Sequence, residues 1–280
     1  MESRDTMDKT LTEKLKEKGL AAGAHKVGVA HPDAVMQLDP QSDARRLLRG
    51  ARSIVIALVA DPPAIRTASD GEEYMSLAYP GYQLADGAAA AMCGLLKKKG
   101  YKIKEIVRVW HKARDKDGKS IPTLQLKSAA VAAGFGQIGL HTLLITPNYG
   151  PRVRLSGFVT DAPLEPDEPF ADDLCDDCGA CARACPSGAI VEGKTFGFLT
   201  CSAYLFAGLS IKELRPAMRS GDLETLRCNA ERLAESVSGW VSSVGRGRRL
   251  YYTCGNCLRV CAAEARFNKH NVPAQEATGD

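Results

Sequence analysis

The chain lacks the sequence signals that direct a protein into or across a membrane. Its start has no apolar stretch like that of a signal peptide and no twin-arginine signal for the export of a folded protein. No apolar run approaches the roughly eighteen residues that a spanning helix needs. We therefore expect a cytoplasmic protein that does not contact the membrane.

The sequence also lacks a strong charge of one sign. Its 37 Lys and Arg against 33 Asp and Glu give a net charge of +4. The basic residues are dispersed except for two short clusters, at 97–99 and 246–249. The first is typical of the last turn of a helix and the second follows a glycine in a predicted loop. The charge alone does not predict a nucleic-acid partner, although contact with tRNA or an acidic protein is the alternative interpretation of these clusters.

Cysteine is what the sequence has in quantity, with ten in 280 residues. In a reducing compartment this number argues against a disulfide framework and for metal ligation. Seven of the ten lie in two compact runs, Cys175-x2-Cys178-x2-Cys181-x3-Cys185-Pro186 and Cys254-x2-Cys257-x3-Cys261.

The first run has the spacing of bacterial ferredoxins, in which three cysteines bind one [4Fe–4S] cluster and the fourth, before proline, binds the other. Zinc is the alternative, but zinc sites usually have separated C-x2-C pairs. Two clusters need eight thiolates, so one ligand lies outside the runs, and it is Cys201 or Cys228. The spacing assigns one cluster to Cys175, Cys178, Cys181 and Cys261, and the other to Cys185, Cys254, Cys257 and the eighth ligand.

The first 165 residues have the pattern of a mixed α+β layer domain. Periodicity predicts helices over residues 8–25, 82–99 and 124–133. It predicts strands over residues 27–30, 54–60, 104–110 and 153–160, of which 54–60 suits a strand covered on both faces.

A change of composition at residues 161–169 predicts a domain boundary, because three prolines and four acidic residues occur there. We expect a first domain over 1–165, a cysteine-rich domain over 166–270 and a tail over 271–280. Leucines and charges between residues 211 and 236 predict one or two helices inserted between the cysteine runs.

Gly134, Gly136 and Gly139 spell the G-x-G-x-x-G of dinucleotide-binding loops. That fingerprint needs a strand before it and a helix after it. Here a predicted helix precedes the glycines and an apolar segment, 143–145, follows them. We therefore interpret these glycines as positions where the backbone passes close to something flat or crowded.

Several blocks of the sequence resemble epoxyqueuosine reductases and the related reductive dehalogenases, in the family's order. They are residues 21–30 (AAGAHKVGVA), residues 127–170 around the glycines, the cysteine region, and Cys201-Ser-Ala-Tyr-Leu205. On these blocks the chain is identified as a divergent member of this superfamily of cobalamin-dependent iron–sulfur reductases.

The resemblance implies an α+β fold in which a nitroreductase-like α/β sandwich domain is followed by a ferredoxin-like domain with two [4Fe–4S] clusters and a helical insertion. It implies an oxidoreductase that receives electrons from reduced ferredoxin or flavodoxin. The clusters would pass them to a base-off cobalamin for reductive cleavage of a small molecule or modified nucleoside. The resemblance also implies that Cys201 is the eighth ligand, which leaves Cys228 and Cys93 as packing cysteines.

The same resemblance places the corrin ring of cobalamin against the loop 134–149. A tight turn that stabilises the sheet is the alternative interpretation of this loop. We expect His141 to form hydrogen bonds rather than to bind cobalt, because the family keeps cobalt without a lower ligand from the protein. The residues expected to bind the cofactor are Gly134, Gly136, Gly139, His141, Thr142, Thr146 and Asn148.

The sequence departs from the family pattern at three places. Epoxyqueuosine reductases usually carry an Asp, proposed as proton donor, before the helix that leads to the glycines; residues 119–122 have none, and Asp117 is nearest. The basic residue common after the third glycine is Leu140 here. The second run ends in Cys261-Ala262 instead of Cys-Pro, and few residues follow for tRNA-contacting additions. The substrate can therefore be something other than epoxyqueuosine.

Reductive cleavage at cobalt needs a proton donor close to the leaving group. Reductive dehalogenases use a tyrosine with a nearby cation, so we predict the donor among Tyr74, Tyr79 and Tyr82, with Asp117 and His111 as further candidates. Packing in the core or at the surface is the alternative role of each tyrosine.

Two other functions remain open at this point. One is an electron-transfer or corrinoid-handling protein without its own substrate turnover, which the missing Asp and Leu140 favour. The other is a two-cluster protein whose first domain binds flavin, as nitroreductase-like domains often do.

Overall fold

The computed structural model describes residues 7–69, 71–106, 124–191, 197, 200–201, 211–231 and 254–271. Asp117 and His111, two of the predicted proton donors, lie outside these residues. All eight predicted cluster cysteines lie inside them.

The core of the fold is a four-stranded antiparallel sheet with the strand order β1-β2-β6-β3. Its strands are β1 (Lys26–Ala30), β2 (Ser53–Ala60), β3 (Ile103–Glu105) and β6 (Val153–Thr160). A separate two-stranded pair, β4 (Gln137–Ile138) and β5 (Leu144–Ile145), frames the loop after the predicted glycines.

Helices α1 to α4 belong to the part of the chain before β6, and α5 to α8 to the part after it. The first set is α1 (Lys9–Ala21), α2 (Pro32–Leu38), α3 (Gly71–Lys98) and α4 (Leu126–Ala132). The second set is α5 (Ala180–Ala184), α6 (Ile211–Ser220), α7 (Asn256–Val260) and α8 (Ala263–Asn271). Residues 223–231 are also helical, so the helices predicted between 211 and 236 are confirmed.

Helices cover the sheet on both faces. Alternate side chains of β2 enter different cores: Ile54 and Ile56 pack in the one that includes residues of α2 and α4. Val55 and Ala57 pack in the other, with residues of α1 and α3. Because both faces are buried, the strand reads as a continuous apolar run. The mixed α/β fold is confirmed.

The long helix α3 begins eleven residues before the predicted start at Tyr82, and it carries Pro80 in its interior. The prediction was wrong there because Pro80-Gly81 reads as a break. In the structure Gly81 gives α3 a close approach to two side chains, since a Cβ would lie 3.0 Å from Cγ of Arg154 and from Oδ1 of Asp61. Although α3 is long, none of the described helices combines the length and apolar character needed to cross a membrane.

The segment 161–169, predicted as a domain boundary, is bound along the first part of the chain. The Asp8 N–H donates to the Pro163 carbonyl at 2.7 Å, and the Val29 N–H donates to Oδ2 of Asp167 at 2.8 Å. Asp167 also pairs with Lys16. The proline-rich segment therefore has fixed partners, and the domain limits 1–165, 166–270 and 271–280 stay predictions.

Candidate functional site

Four of the predicted ligands line one cavity. Three of them come from the loop before α5 and from its first turn, where Gly179 adopts a left-handed conformation (φ 68°) that turns the chain into the helix. The fourth ends α7, at its C-cap. We call these residues the first thiol group: Cys175, Cys178, Cys181 and Cys261.

The other four predicted ligands form a second group of neighbouring thiols. Burial, and after it the charges of the other three thiols, raise the pKa of Cys257 to about 12. Burial likewise raises the pKa of Cys201 to about 11, with contributions from Cys254 and Cys185. We call these residues the second thiol group: Cys185, Cys201, Cys254 and Cys257.

Each thiol group takes cysteines from both sequence runs. Cys185 ends the first run but lies with Cys254 and Cys257, while Cys261 ends the second run but lies with Cys175. The structure therefore gathers the cysteines in the crossed arrangement that the spacing predicts. It also brings Cys201 into the second thiol group.

Cys228 and Cys93 lie elsewhere. Cys93 is 3% exposed, and it packs with Leu96 in the core that includes α1 and α3, as predicted for a packing cysteine. Cys228 is half-buried, and its thiol donates to Glu224 on the same helix.

The chemistry of the two thiol groups fits iron–sulfur clusters. Burial and the neighbouring cysteines Cys261 and Cys175 raise the pKa of Cys181 to about 11, so this thiol needs a metal cation to ionise at neutral pH. Within the described ranges, no three metal-binding side chains lie close enough to share a single ion. The four thiols that line the cavity of the first group match the number of ligands that a cubane takes.

The three glycines of the loop 134–149 make room for the protein's own chain. Gly134 (φ +70°) and Gly136 (φ +150°) have left-handed or related conformations, and a Cβ would collide with the carbonyl oxygens of Glu168 and Ile145, respectively. A Cβ on Gly139 would lie 2.5 Å from Cδ1 of Ile145. The crowding that requires glycine here therefore comes from neighbouring protein segments, which favours the tight-turn interpretation.

The polar residues of this loop that were predicted to bind the cofactor differ in their hydrogen bonds and exposure. Oγ1 of Thr146 accepts from the Tyr149 N–H and donates to the Gly150 carbonyl, both at 3.2 Å, and the residue is buried. Thr142 has a positive φ of 60°, and its N–H donates to the Gly139 carbonyl. Asn148 is exposed. The Thr146 hydroxyl thus forms its hydrogen bonds within its own turn, whereas the Asn148 side chain is accessible to a ligand.

Two of the three predicted tyrosines flank a buried arginine. Nη2 of Arg154, on β6, donates to Tyr74 Oη at 3.1 Å, and Nη1 donates to Tyr82 Oη at 3.4 Å. The guanidinium also lies 4.9 Å from the centre of the Tyr82 ring. Burial raises the pKa of Tyr74. Tyr79 is half-buried on the same helix.

Asp61 completes this buried polar cluster. Its Oδ2 lies 2.7 Å from Nη2 of Arg154, and its side chain is fully buried. Burial raises the pKa of Asp61 to about 6 in spite of the nearby guanidinium. Sequence reasoning missed both charged residues. Two signals were available in the sequence. Arg154 lies inside a largely apolar predicted strand, and Asp61 follows directly after the apolar run 54–60.

Comparisons with known proteins agree with this site. A family model described as a 4Fe-4S binding domain matches residues 169–191. The chain is 26% identical to the epoxyqueuosine reductase of Bacillus anthracis over 253 residues, which is 89% of the chain and 57% of that protein. It is 48% identical to the tetrachloroethene reductive dehalogenase of Sulfurospirillum multivorans over 146 residues, which is 51% of the chain and 23% of that protein. The resemblance to these two kinds of reductase is confirmed.

Solved structures of both kinds have the same fold as this chain. An epoxyqueuosine reductase with a tRNA stem loop superposes with a TM-score of 0.58 at 21% identity, covering 91% of this chain and 66% of the other. A reductive dehalogenase whose description refers to B12-dependent dehalogenation gives 0.53 at 22% identity, covering 69% and 29%. The chain spans little more than half the length of the epoxyqueuosine reductase from Bacillus anthracis.

Proposed function

We propose that the protein is a corrinoid-dependent iron–sulfur reductase. Two [4Fe–4S] clusters carry low-potential electrons to a base-off cobalamin, which reductively cleaves a small molecule or a modified nucleoside. The observation that supports this proposal is the pair of crossed thiol groups, because eight thiols divided four and four are the ligand set of two cubanes.

The electron path begins at the thiol groups. Cys185 and Cys261 each cross to the cluster of the other run, which holds two clusters next to each other for one-electron transfer. Cys201 completes the second cluster. Electrons would come from reduced ferredoxin or flavodoxin in the cytoplasm.

The corrinoid is proposed from the relatives, one of which is described by B12-dependent dehalogenation. When bound, cobalamin would supply a strongly nucleophilic and reducing cobalt centre. The nitroreductase-like first domain would hold it. Of the loop residues named above, exposed Asn148 and the backbone around Thr142 have the access needed to meet its amide groups, whereas the glycines and Thr146 shape the loop from within.

Protonation is assigned to the tyrosines beside Arg154. A guanidinium in contact with a phenol stabilises the phenolate that remains after proton donation. Burial keeps Tyr74 protonated until that moment. Tyr82 is half-buried and therefore more accessible to a substrate. Tyr79 and Asp117 stay as further candidates.

The substrate class is proposed from the substrates named for two kinds of relative. One solved relative was crystallised with an epoxyqueuosine-modified tRNA stem loop, and another curated relative reduces tetrachloroethene. A modified nucleoside in tRNA and a halogenated small molecule are therefore the substrates to test first.

The deciding experiment is anaerobic reconstitution with iron, sulfide and cobalamin. We expect cobalamin to bind at micromolar concentration with a base-off spectrum, and a low-potential reductant to convert it fully to the reduced cobalt form. The variant Asn148→Ala should bind more weakly, whereas Lys97→Met, far along α3, should not change binding. Absence of binding at micromolar cobalamin would reject the corrinoid assignment.

A second candidate function is an electron-transfer or corrinoid-handling protein without turnover of its own. It is favoured by the loop 134–149, in which the glycines and Thr146 serve internal packing, and by Leu140 in place of the family's basic residue. Turnover of epoxyqueuosine tRNA or of a haloorganic compound by the cobalamin-loaded protein would reject it. Mass spectrometry of the cofactor released on denaturation would distinguish corrinoid from flavin, the remaining alternative.

A further inference from the structure

His141 is a buried histidine that its loop holds in one orientation. The residue is 3% exposed, and the Leu143 N–H donates to its Nδ1 at 3.1 Å. Two backbone hydrogen bonds close the turn around it: Thr142 N–H to the Gly139 carbonyl at 2.8 Å, and Gly139 N–H to the Leu143 carbonyl at 3.1 Å. The imidazole therefore has little freedom to turn.

The hydrogen bond to Nδ1 also decides where the ring carries its proton. Because Nδ1 accepts, the neutral imidazole must be protonated at Nε2. An Nδ1 atom that accepts a hydrogen bond carries no proton of its own, so the ring in this hydrogen bond is the neutral form. His141 thus presents a neutral N–H donor at Nε2.

That donor lacks a partner within the described part of the chain. Nε2 of His141 is buried and accepts or donates no hydrogen bond there. A buried N–H without an acceptor lowers stability, so such a group calls for an explanation. The ring lines the cavity of the first thiol group, whose lining also includes Asp176 and Asp177, but neither carboxylate accepts a hydrogen bond from Nε2.

We propose that Nε2–H of His141 donates a hydrogen bond to a sulfur of the [4Fe–4S] cluster bound by the first thiol group. This inference rests on the proposed function, which places a cluster in that cavity. Reduction adds negative charge to the sulfurs, so a hydrogen bond to them stabilises the reduced cluster more than the oxidised one. His141 therefore raises the reduction potential of the first cluster, and it is a positioning and tuning residue of that cluster.

The first test compares two variants by redox titration monitored by electron paramagnetic resonance. His141→Leu removes the donor, and His141→Gln retains an N–H at a similar reach. We expect the leucine variant to disfavour reduction of the first cluster about tenfold, which is ~59 mV for a one-electron step. The glutamine variant should recover most of this shift, and the second cluster in the same molecules should keep its potential.

The second test needs no substitution at His141. The chain has five histidines, so the wild-type protein labelled with 15N-histidine should show a 15N coupling to the reduced first cluster in pulsed electron paramagnetic resonance. The variant Cys201→Ala, prepared with the first cluster alone, should retain that coupling. This measurement decides the question if His141→Leu loses its cluster.

The outcomes separate the two proposals. Unchanged potentials in His141→Leu, a shift confined to the second cluster, or absence of a 15N coupling in wild type would overturn the role of His141. A wild-type protein that binds fewer than about eight iron atoms after reconstitution would instead contradict the two-cluster assignment itself.

Discussion

Gly255 lies against the ring of Tyr74, and a Cβ at this glycine would overlap the ring. The segment that carries Cys254 and leads into α7, where Cys257 lies, therefore packs against the first turn of α3. Leu258 continues this contact, because it packs with Tyr74 and Met75. Tyr74 thus contacts both the buried Arg154 and the glycine that follows Cys254, a ligand proposed for the second cluster.

Replacing Gly255 with alanine tests this contact. The backbone at Gly255 (φ −119°) suits alanine, so the cost is steric, and we expect Gly255→Ala to destabilise the protein by about 1–3 kcal/mol and to reduce occupancy of the second cluster. Gly87→Ala is the control, because nothing lies within 4 Å of its Cβ position, and alanine should stabilise α3 by about 1 kcal/mol. Thermal unfolding followed by cluster absorbance measures both, and equal stability of the two variants would contradict the contact.

The amount of iron that the alanine variants bind shows whether Cys201 or Cys228 is the eighth cluster ligand. We expect Cys201→Ala to bind about four iron atoms after reconstitution instead of about eight, since the second cluster loses a ligand. Cys228→Ala should keep all of them, because its thiol contacts Glu224 and neither thiol group. The reverse pattern would show that the eighth ligand was misassigned.

Arg66 connects the first part of the chain to the end of the second cysteine run. It donates to the carbonyls of Arg259 and Cys261 and pairs with Glu264. Losing these charge-assisted hydrogen bonds in Arg66→Met should cost about 2–3 kcal/mol, and a chelator should remove iron from the first cluster faster. The exposed Lys97→Met should release iron at the wild-type rate, and no difference between the two variants would remove this role from Arg66.

The three tyrosines should differ in their effect on turnover once a substrate is known. Tyr74→Phe or Tyr82→Phe removes a hydroxyl that contacts Arg154, and the loss of a proton donor should lower the rate about 100-fold. Both variants should still bind cobalamin and both clusters. Full activity of both would leave Tyr79 and Asp117 as the candidates, and Tyr79→Phe would then be measured next.

Asp61 gives the folded protein a pH-dependent stability. Its pKa is raised to about 6, so the folded state binds this proton more tightly than the unfolded chain, whose carboxyl titrates near 3.8. The contribution is complete below about pH 4 and is lost as the pH rises through 6. Over this window the unfolding free energy of wild type should fall relative to that of Asp61→Asn by about 3 kcal/mol. Parallel curves for the two proteins would show that Asp61 does not titrate in this way.

The sequence predicted the elements that local patterns determine. Strand β2 is a continuous apolar run and α4 a short alanine-rich stretch, and both lie within two residues of their predicted bounds. The division of the cysteines into two groups was also predictable. In the ferredoxin spacing, the last cysteine of a run binds the cluster of the other run.

The sequence could not predict contacts that depend on the register of the sheet. Arg154 lies opposite Val59 in the β2–β6 pairing, and this register brings it to Asp61 across 93 residues of sequence. The glycines of the loop were likewise ambiguous, since the segments that crowd Gly134 and Gly136 reach them from Glu168 and Ile145. Only tertiary structure identifies those neighbours.

The first thiol group has one exposed member, and this should decide which of the two proposed clusters meets oxygen first. Cys178 is exposed, whereas the four thiols of the second group are buried or half-buried. A cluster at an exposed thiol is the one that oxygen attacks first, so brief exposure to air should convert the first cluster to a three-iron form while the second stays intact. The protein would then lose the cluster with the exposed ligand Cys178 before it loses the other one.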